Sequence, residues 1–296
     1  MPSKIIRGMA GNNTFRFFAT DATDVVQEAV EKHNLSITAT VLLGRMITAG
    51  LMMGYDLKNE TDSLTLKING DGMIGGALVD CRSDGKIRGY VIHPEVELPL
   101  DENTKNIQVG KAIGAGVLTV IKKYGSSTPY QSEIPLRTGE IAEDIAFYYA
   151  QSEQIPTAVS LGVLVDPDAT VRRAGGFIVQ AMPNTPDDML YRLEKNINNM
   201  PYISDLLDMG LTIEEICSKT LFKELDMQVT EEEEAHYFCS CSKESFAAGL
   251  ELLDISDLEE MRSEPVTTHC VFCSKEYTFS REEITDILQR KLDSKK

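Results

Sequence analysis

The sequence predicts an α+β fold: a large mixed α/β N-terminal domain, a short helical linker and a small C-terminal cysteine-bearing domain. Short β-rich runs joined by hairpin-type turns ("NGDG" at 69–72, "RSDG" at 82–85) mix with long helical stretches and show no regular βαβ alternation. After residue 183 the character changes to short, capped, acidic helices. Four of the six cysteines then fall in two tight pairs, C-x-C at 239–241 and C-x-x-C at 270–273. The expected boundaries are 1–183, 184–232 and 233–296. A chain of 296 residues exceeds one typical core of about 100–200 residues, so more than one domain is expected.

Each element has a local reason. "TFRFFATDAT" reads as a strand running into a helix start, and the following "TDVVQEAVEKHN" places Val25, Val26, Ala29 and Val30 on one helical face. "SITATVLLGRMITAGLMMG" is apolar almost all round, the pattern of a buried helix, with Met46, Met52 and Met53 as core filler. "SLTLKI", "GGALVDC" and "KIRGYVI" are strands, as are "AVSLGVLV" and "RRAGGFIVQ" about the turn "DPDA". Between them "TGEIAEDIAFYYAQSEQ" reads as a helix starting at Thr138 and burying Ile141, Ile145 and Tyr148.

In the linker, Thr185 with Pro186 begins one helix, Pro201 begins another that Gly210 can close, and Thr212 with Glu215 forms a capping box. Each is expected to be about ten residues long, too short to be stable alone in water. Residues 184–232 therefore read as conditionally stable, and "EEEE" at 231–234 as a solvated charge run.

Charge narrows the partners. The net charge is −17; residues 181–296 carry 12 Lys/Arg against 25 Asp/Glu, and no basic cluster stands out along the sequence. A nucleic acid is expected to be repelled. The N-terminus lacks the apolar run of a signal peptide and no stretch approaches about 20 apolar residues, so no membrane partner and a cytoplasmic location are expected. In that reducing compartment, clustered cysteines serve metals or redox chemistry more often than structural disulfides.

Two nucleotide motifs fail on context. Gly70, Gly72 and Gly75 spell G-x-G-x-x-G, but the chain continues as strand where a dinucleotide site needs a helix N-terminus. "VGKAIGAG" has Ala112 where a phosphate loop needs Ser or Thr. No G-x-S-x-G elbow or H-x-x-x-H spacing occurs, so no catalytic residues are expected and the chain is not read as an enzyme.

Cys239, Cys241, Cys270 and Cys273 offer four soft ligands to one tetrahedral Zn²⁺ per chain, a closed site with no position left for substrate. On an extended segment residues i and i+2 point the same way, so the C-x-C pair can share a metal, with sulfurs about 3.8 Å apart at a Zn–S distance of about 2.3 Å. A Cys270–Cys273 bridge forms easily, whereas a Cys239–Cys241 bridge is strained and readily reduced. A module of about 60 residues has a marginal core, while structural zinc contributes on the order of 10–16 kcal/mol, so metal loss is expected to unfold it. Cys81 and Cys217 read as buried apolar residues, and His236 and His269 as neighbours of a filled site.

The cysteine spacing, with "CSCSKESF" and "CVFCSKEYTFS" around it, resembles the zinc-switch signature of the redox-regulated heat shock protein 33 chaperones. "GDGMIGGALVDCRSDGKIRGYV", "SEQIPTAVSLGVLV" and "AGGFIVQAMP" resemble N-terminal segments of the same family. The resemblance implies a zinc-binding C-terminal domain, inactive while reduced. It further implies oxidation to two sequence-adjacent disulfides, Cys239 with Cys241 and Cys270 with Cys273, with zinc release and linker unfolding. The activated homodimer would hold unfolding client proteins without ATP, and ATP-dependent foldases would take them over after reduction. The alternatives are an N-terminal enzyme, or an adaptor, carrying a constitutive structural zinc tail.

Overall fold

A computed structural model describes residues 2–103 and 106–294, and the chain divides into two compact units, 1–238 and 239–296. The first unit opens with strands β1 (Lys4–Ala10) and β2 (Phe15–Asp21), then helices α1 (Thr23–His33) and α2 (Ile37–Tyr55). The hairpin strands β3 (Ser63–Gly70), β4 (Gly76–Arg82) and β5 (Lys86–Val91) follow. Next come α3 (Val109–Ile113), β6 (Gly116–Lys123), β7 (Tyr130–Pro135) and α4 (Ala142–Tyr148), whose end loosens into a π-turn, Tyr149–Glu153. Strands β8 (Thr157–Val165) and β9 (Val171–Ala181) complete the part read as the N-terminal domain. Helices α5 (Asp187–Asn199), α6 (Ile203–Asp208) and α7 (Ile213–Ile216), a second π-turn (Cys217–Leu221), and strands β10 (Met227–Glu234) and β11 (His236–Tyr237) finish the unit.

Two sheets result, one in the order β10-β1-β2-β9-β8 and the other β11-β5-β4-β3-β6-β7, antiparallel except where β11 joins β5. Helix α2 packs against strands of both sheets, which explains its all-round apolar pattern: Met46, Met52 and Met53 are fully buried there. At 19 residues α2 does approach membrane-spanning length, contrary to the sequence expectation, but 89% of its apolar window is buried inside the unit.

Strand alternation gives the first sheet a second apolar face. Phe15, Phe17 and Ala19 of β2, with Phe177 and Val179 of β9, point away from the α2 core into a separate cluster. Leu193, Ile203, Leu206, Leu207, Ile216 and Phe222 of the 184–232 segment cover them. The ring of Phe222 lies 5.0 Å from that of Phe17.

Several local expectations need correction. The helix read from Thr138 begins at Ala142, because the buried carboxylate of Asp144 accepts the N–H groups of Arg137, Thr138 and Ile141 and folds 137–141 into a loop. The linker helices are 13, 6 and 4 residues long rather than about ten each. Gly210 closes the second at φ +87°, and Thr212 with Glu215 caps the third reciprocally. The 231–234 glutamates are exposed, yet they belong to β10, paired with Lys4–Arg7 of β1. Gly8 permits this pairing, since a Cβ there would lie 2.1 Å from the Gln228 carbonyl oxygen.

The second unit carries α8 (Lys243–Leu250), α9 (Ile255–Met261), the hairpin β12 (Val266–His269) and β13 (Glu276–Phe279), and α10 (Arg281–Ser294). Its core, among the described residues, is Leu258, Tyr277, Phe279, Ile284, Ile287 and Leu288.

Candidate metal centre

Two pieces of irregular chain present the sulfurs. Cys239 and Cys241 stand on the segment before α8, whose start is fixed when the Ser242 hydroxyl accepts the Ser245 N–H. Cys270 and Cys273 sit in the turn between β12 and β13. There the Cys270 carbonyl accepts from Ser274 N at 2.8 Å, Cys270 N donates to the Lys275 carbonyl at 2.9 Å, and Ser274 takes φ +58°. Such a tight turn aims both thiols of a C-x-x-C to one side.

All four Sγ atoms lie within 4.8 Å of one another. Cys239 and Cys270 sulfurs are 3.6 Å apart, and Cys241 and Cys273 sulfurs 3.4 Å. Those separations are close to the edge of about 3.8 Å of a tetrahedral four-sulfur site. The donor set and its geometry therefore fit one tetrahedral metal ion. Among the described residues this is the group of three or more candidate ligands gathered so closely, and it contains no histidine. His236 instead lies in β11 opposite Lys86 of β5, its Nε2 3.5 Å from a Glu234 carboxylate oxygen, and His269 lies in β12 opposite Glu276.

The electrostatics favour a cation. Burial opposes ionisation of Cys241, but hydrogen bonds to its sulfur from Tyr277 and from the other thiols outweigh it and bring the group down to about 7. Burial pushes Cys270 and Cys273 up, and their thiol neighbours add to the rise at Cys273. One thiolate is thus readily formed while further ones repel it, and a divalent ion removes that repulsion.

Tyr277 is the residue that sequence reasoning missed. Its hydroxyl lies 3.2 Å from Cys241 Sγ and 3.0 Å from the Cys241 carbonyl oxygen, so its single proton can turn to either acceptor and serves the sulfur once that is ionised, while its ring packs 5.0 Å from that of Phe246. Alternation in "EYTF", with Tyr277 and Phe279 both inward, was the available signal. Cys81 and Cys217 are fully buried, and burial raises both thiols well above the ordinary range, which leaves them inert apolar filler.

Comparison with known proteins places this geometry in a lineage. A family model described as Hsp33 protein matches residues 3–280. A 33 kDa chaperonin of Clostridium perfringens is 42% identical over 294 residues, covering 98% of this chain and 93% of its own. One from Agathobacter rectalis is 40% identical over 289 residues, covering 97% and 100%. The crystal structure of a 33 kDa chaperonin, a heat shock protein 33 homologue from Thermotoga maritima, superposes with a TM-score of 0.89 at 38% identity, over 99% of this chain and 100% of that one.

Proposed function

The chain belongs to the Hsp33 family, and from that premise we propose that it is a redox-regulated holdase chaperone, not an enzyme, with one Zn²⁺ held by Cys239, Cys241, Cys270 and Cys273 in the reduced state. The observation that carries the reading is the gathering of four sulfurs within 4.8 Å in a unit with so small an apolar core. Bound zinc would keep the four sulfurs as thiolates and tie the segment before α8 to the β12–β13 turn.

Each oxidation joins two thiolates: with peroxide, two RS⁻ and H₂O₂ give one disulfide and two hydroxide ions. We assign the bridges to Cys239–Cys241 and Cys270–Cys273. The sulfur contacts at 3.6 and 3.4 Å run across the pairs, Cys239 to Cys270 and Cys241 to Cys273, and adjacent bridges would replace the shared metal with links inside each segment, leaving no covalent or metal tie between the two. Loss of that cross-link would take with it the order of residues 239–294.

Residues 184–232 act as the second element. Their helices are short, and their apolar side chains find burial only against the outer face of the first sheet. Release of this segment would uncover Phe15, Phe17, Phe177 and Val179, an aromatic and aliphatic face suited to unfolding client proteins. The activated form acts as a homodimer in the cytoplasm and passes clients to ATP-dependent foldases after reduction, and the net charge of −17 argues against nucleic-acid partners.

The test is to oxidise the protein with peroxide at raised temperature while recording zinc release, thiol count, helicity and suppression of aggregation of a heat-unfolding client. Zinc loss, helix loss larger than the second unit contains, and gained suppression are expected together. Equal suppression by reduced and oxidised protein would overturn the reading in favour of a constitutive zinc tail. Disulfide-linked peptides identified by mass spectrometry decide the connectivity.

A further inference from the structure

The packed linker gathers positive charge that the sequence alone did not suggest. A groove of about 770 Å³ runs between α5 and the wall formed by residues 219–224. On α5 the lining residues follow helical spacing: 188, 191, 192, 195, 196 and 199, the stripe turned away from buried Leu193. Arg192 and Lys195 from this stripe face Lys219 and Lys223 from the opposite wall, against the two carboxylates Asp188 and Glu224. Lys219 is paired with Glu215, but among the described residues Arg192, Lys195 and Lys223 form no ion pair. In a chain of net charge −17, unpaired cations converging on one concavity need an account.

The walls are also held in register. The Asn196 carboxamide donates from α5 to the Leu221 carbonyl at 3.1 Å and to the Lys223 carbonyl at 2.9 Å, so the two walls that carry the cations are fixed to each other before any ligand arrives. Tyr191, 67% exposed, lines the same groove and offers an aromatic face. Charge complementarity sets the ligand's size. A compact anion can be held wholly inside a groove of about 770 Å³, where the lining cations outnumber the carboxylates, whereas a long polyanion would run on beyond it over a chain of net charge −17.

We propose that this groove binds a short oligophosphate anion, inorganic or carried by a nucleotide, and that the anion bridges α5 to the 219–224 wall. Such a ligand engages both walls only while the segment is packed, so it stabilises the packed form by mass action. The regulatory consequence, a higher oxidant dose for release, rests on the reading of residues 184–232 as the releasable linker.

Titration calorimetry of inorganic tripolyphosphate and of ADP into the reduced, zinc-loaded full chain tests the site directly and needs no chaperone readout. Saturable one-to-one binding is expected, weakened about tenfold or more in the Lys195→Gln/Lys223→Gln double variant. Lys58→Gln, an exposed lysine outside the groove, should leave it unchanged. Because the altered side chains are exposed and unpaired, the double variant should keep the wild-type hydrogen exchange of residues 187–224. Loss of ADP affinity alone in Tyr191→Ala identifies a nucleotide source, and no effect of that change identifies an inorganic one. Absence of binding, or equal weakening by Lys58→Gln, overturns the site. For the regulatory half, tripolyphosphate should delay peroxide-driven loss of helix in the wild type and not in the double variant, which also controls for metal chelation by the probe. Binding without delay overturns that half. Intact binding in a protein that peroxide never activates would instead overturn the chaperone reading and leave the site standing.

Discussion

The core around α2 and the core of the second unit solve the same problem with unequal means. Around α2, two sheets close on a helix buried for nearly its whole length, and Leu42, Leu43, Met46, Ile47 and Met52 are each 1% exposed or less. In the second unit only Leu258 and Ile284 of the described core residues reach that state, in a cluster against which Cys241 and short helices also pack. Burial scales with size, so a unit of under 60 residues has only a marginal gain from apolar contact. The lesson is that one chain can hold cores of very unequal apolar area, and that the four-sulfur cluster belongs to the unit with the smaller one.

Metal removal is the largest way to break the comparison. Chelation, or Cys270→Ser, should cost the second unit on the order of 10 kcal/mol or more and unfold it, while the α2 core stays folded. Amide exchange resolved by residue checks this: protection should vanish across 239–294 and persist across 37–55. Protection surviving in 239–294 after complete zinc loss would show that the small core is self-sufficient.

The segment covering the outer face of the first sheet should fall between the two extremes. Phe222 is fully buried against Phe17, and Phe222→Ala should destabilise the covering by about 3–5 kcal/mol. The expected phenotype is faster exchange over 187–225 and partial suppression of client aggregation by the reduced, zinc-loaded protein. An unchanged reduced protein would mean that the covering is held by β10 and β11 rather than by its helices.

Tyr277→Phe is a smaller test at the metal centre. It deletes the hydroxyl beside Cys241 while keeping the ring against Phe246. Loss of the hydroxyl's hydrogen bond to a charged sulfur should be read as roughly tenfold or greater weakening of zinc in a chelator competition. Wild-type zinc retention would place the hydroxyl's role at the Cys241 carbonyl alone.

Legibility followed the range of the interactions. The buried helix, the hairpin turns, the Thr212 capping box and the four cysteines were readable because each is set by residues a few positions apart. Tyr277 beside Cys241, β10 on β1 and the carboxylate of Asp144 under the 137–141 loop were not, because they depend on which distant or folded-back segment supplies the partner. The four glutamates at 231–234 show the limit well: charge alone describes a solvated run, and only the register with Lys4–Arg7 reveals an edge strand whose far side the glutamates keep wet.

The capping box at Thr212 offers the finest probe of where the covering segment stands on the scale between the two cores. Its hydroxyl accepts the Glu215 N–H at 3.3 Å while the Glu215 carboxylate accepts the Thr212 N–H at 3.1 Å, closing a helix of only four residues. Thr212→Ala removes one of these bonds and should cost about 1 kcal/mol. In a well-buried core such a loss would be invisible to function, since the folded population stays near unity. In a segment poised near release the same loss should lower the temperature at which oxidised protein gains client binding by a few degrees, with zinc retention unchanged. If activation temperature stays at the wild-type value while exchange confirms the weakened cap, residues 184–232 belong with the α2 core, and the conditional part of the molecule is confined to its second unit.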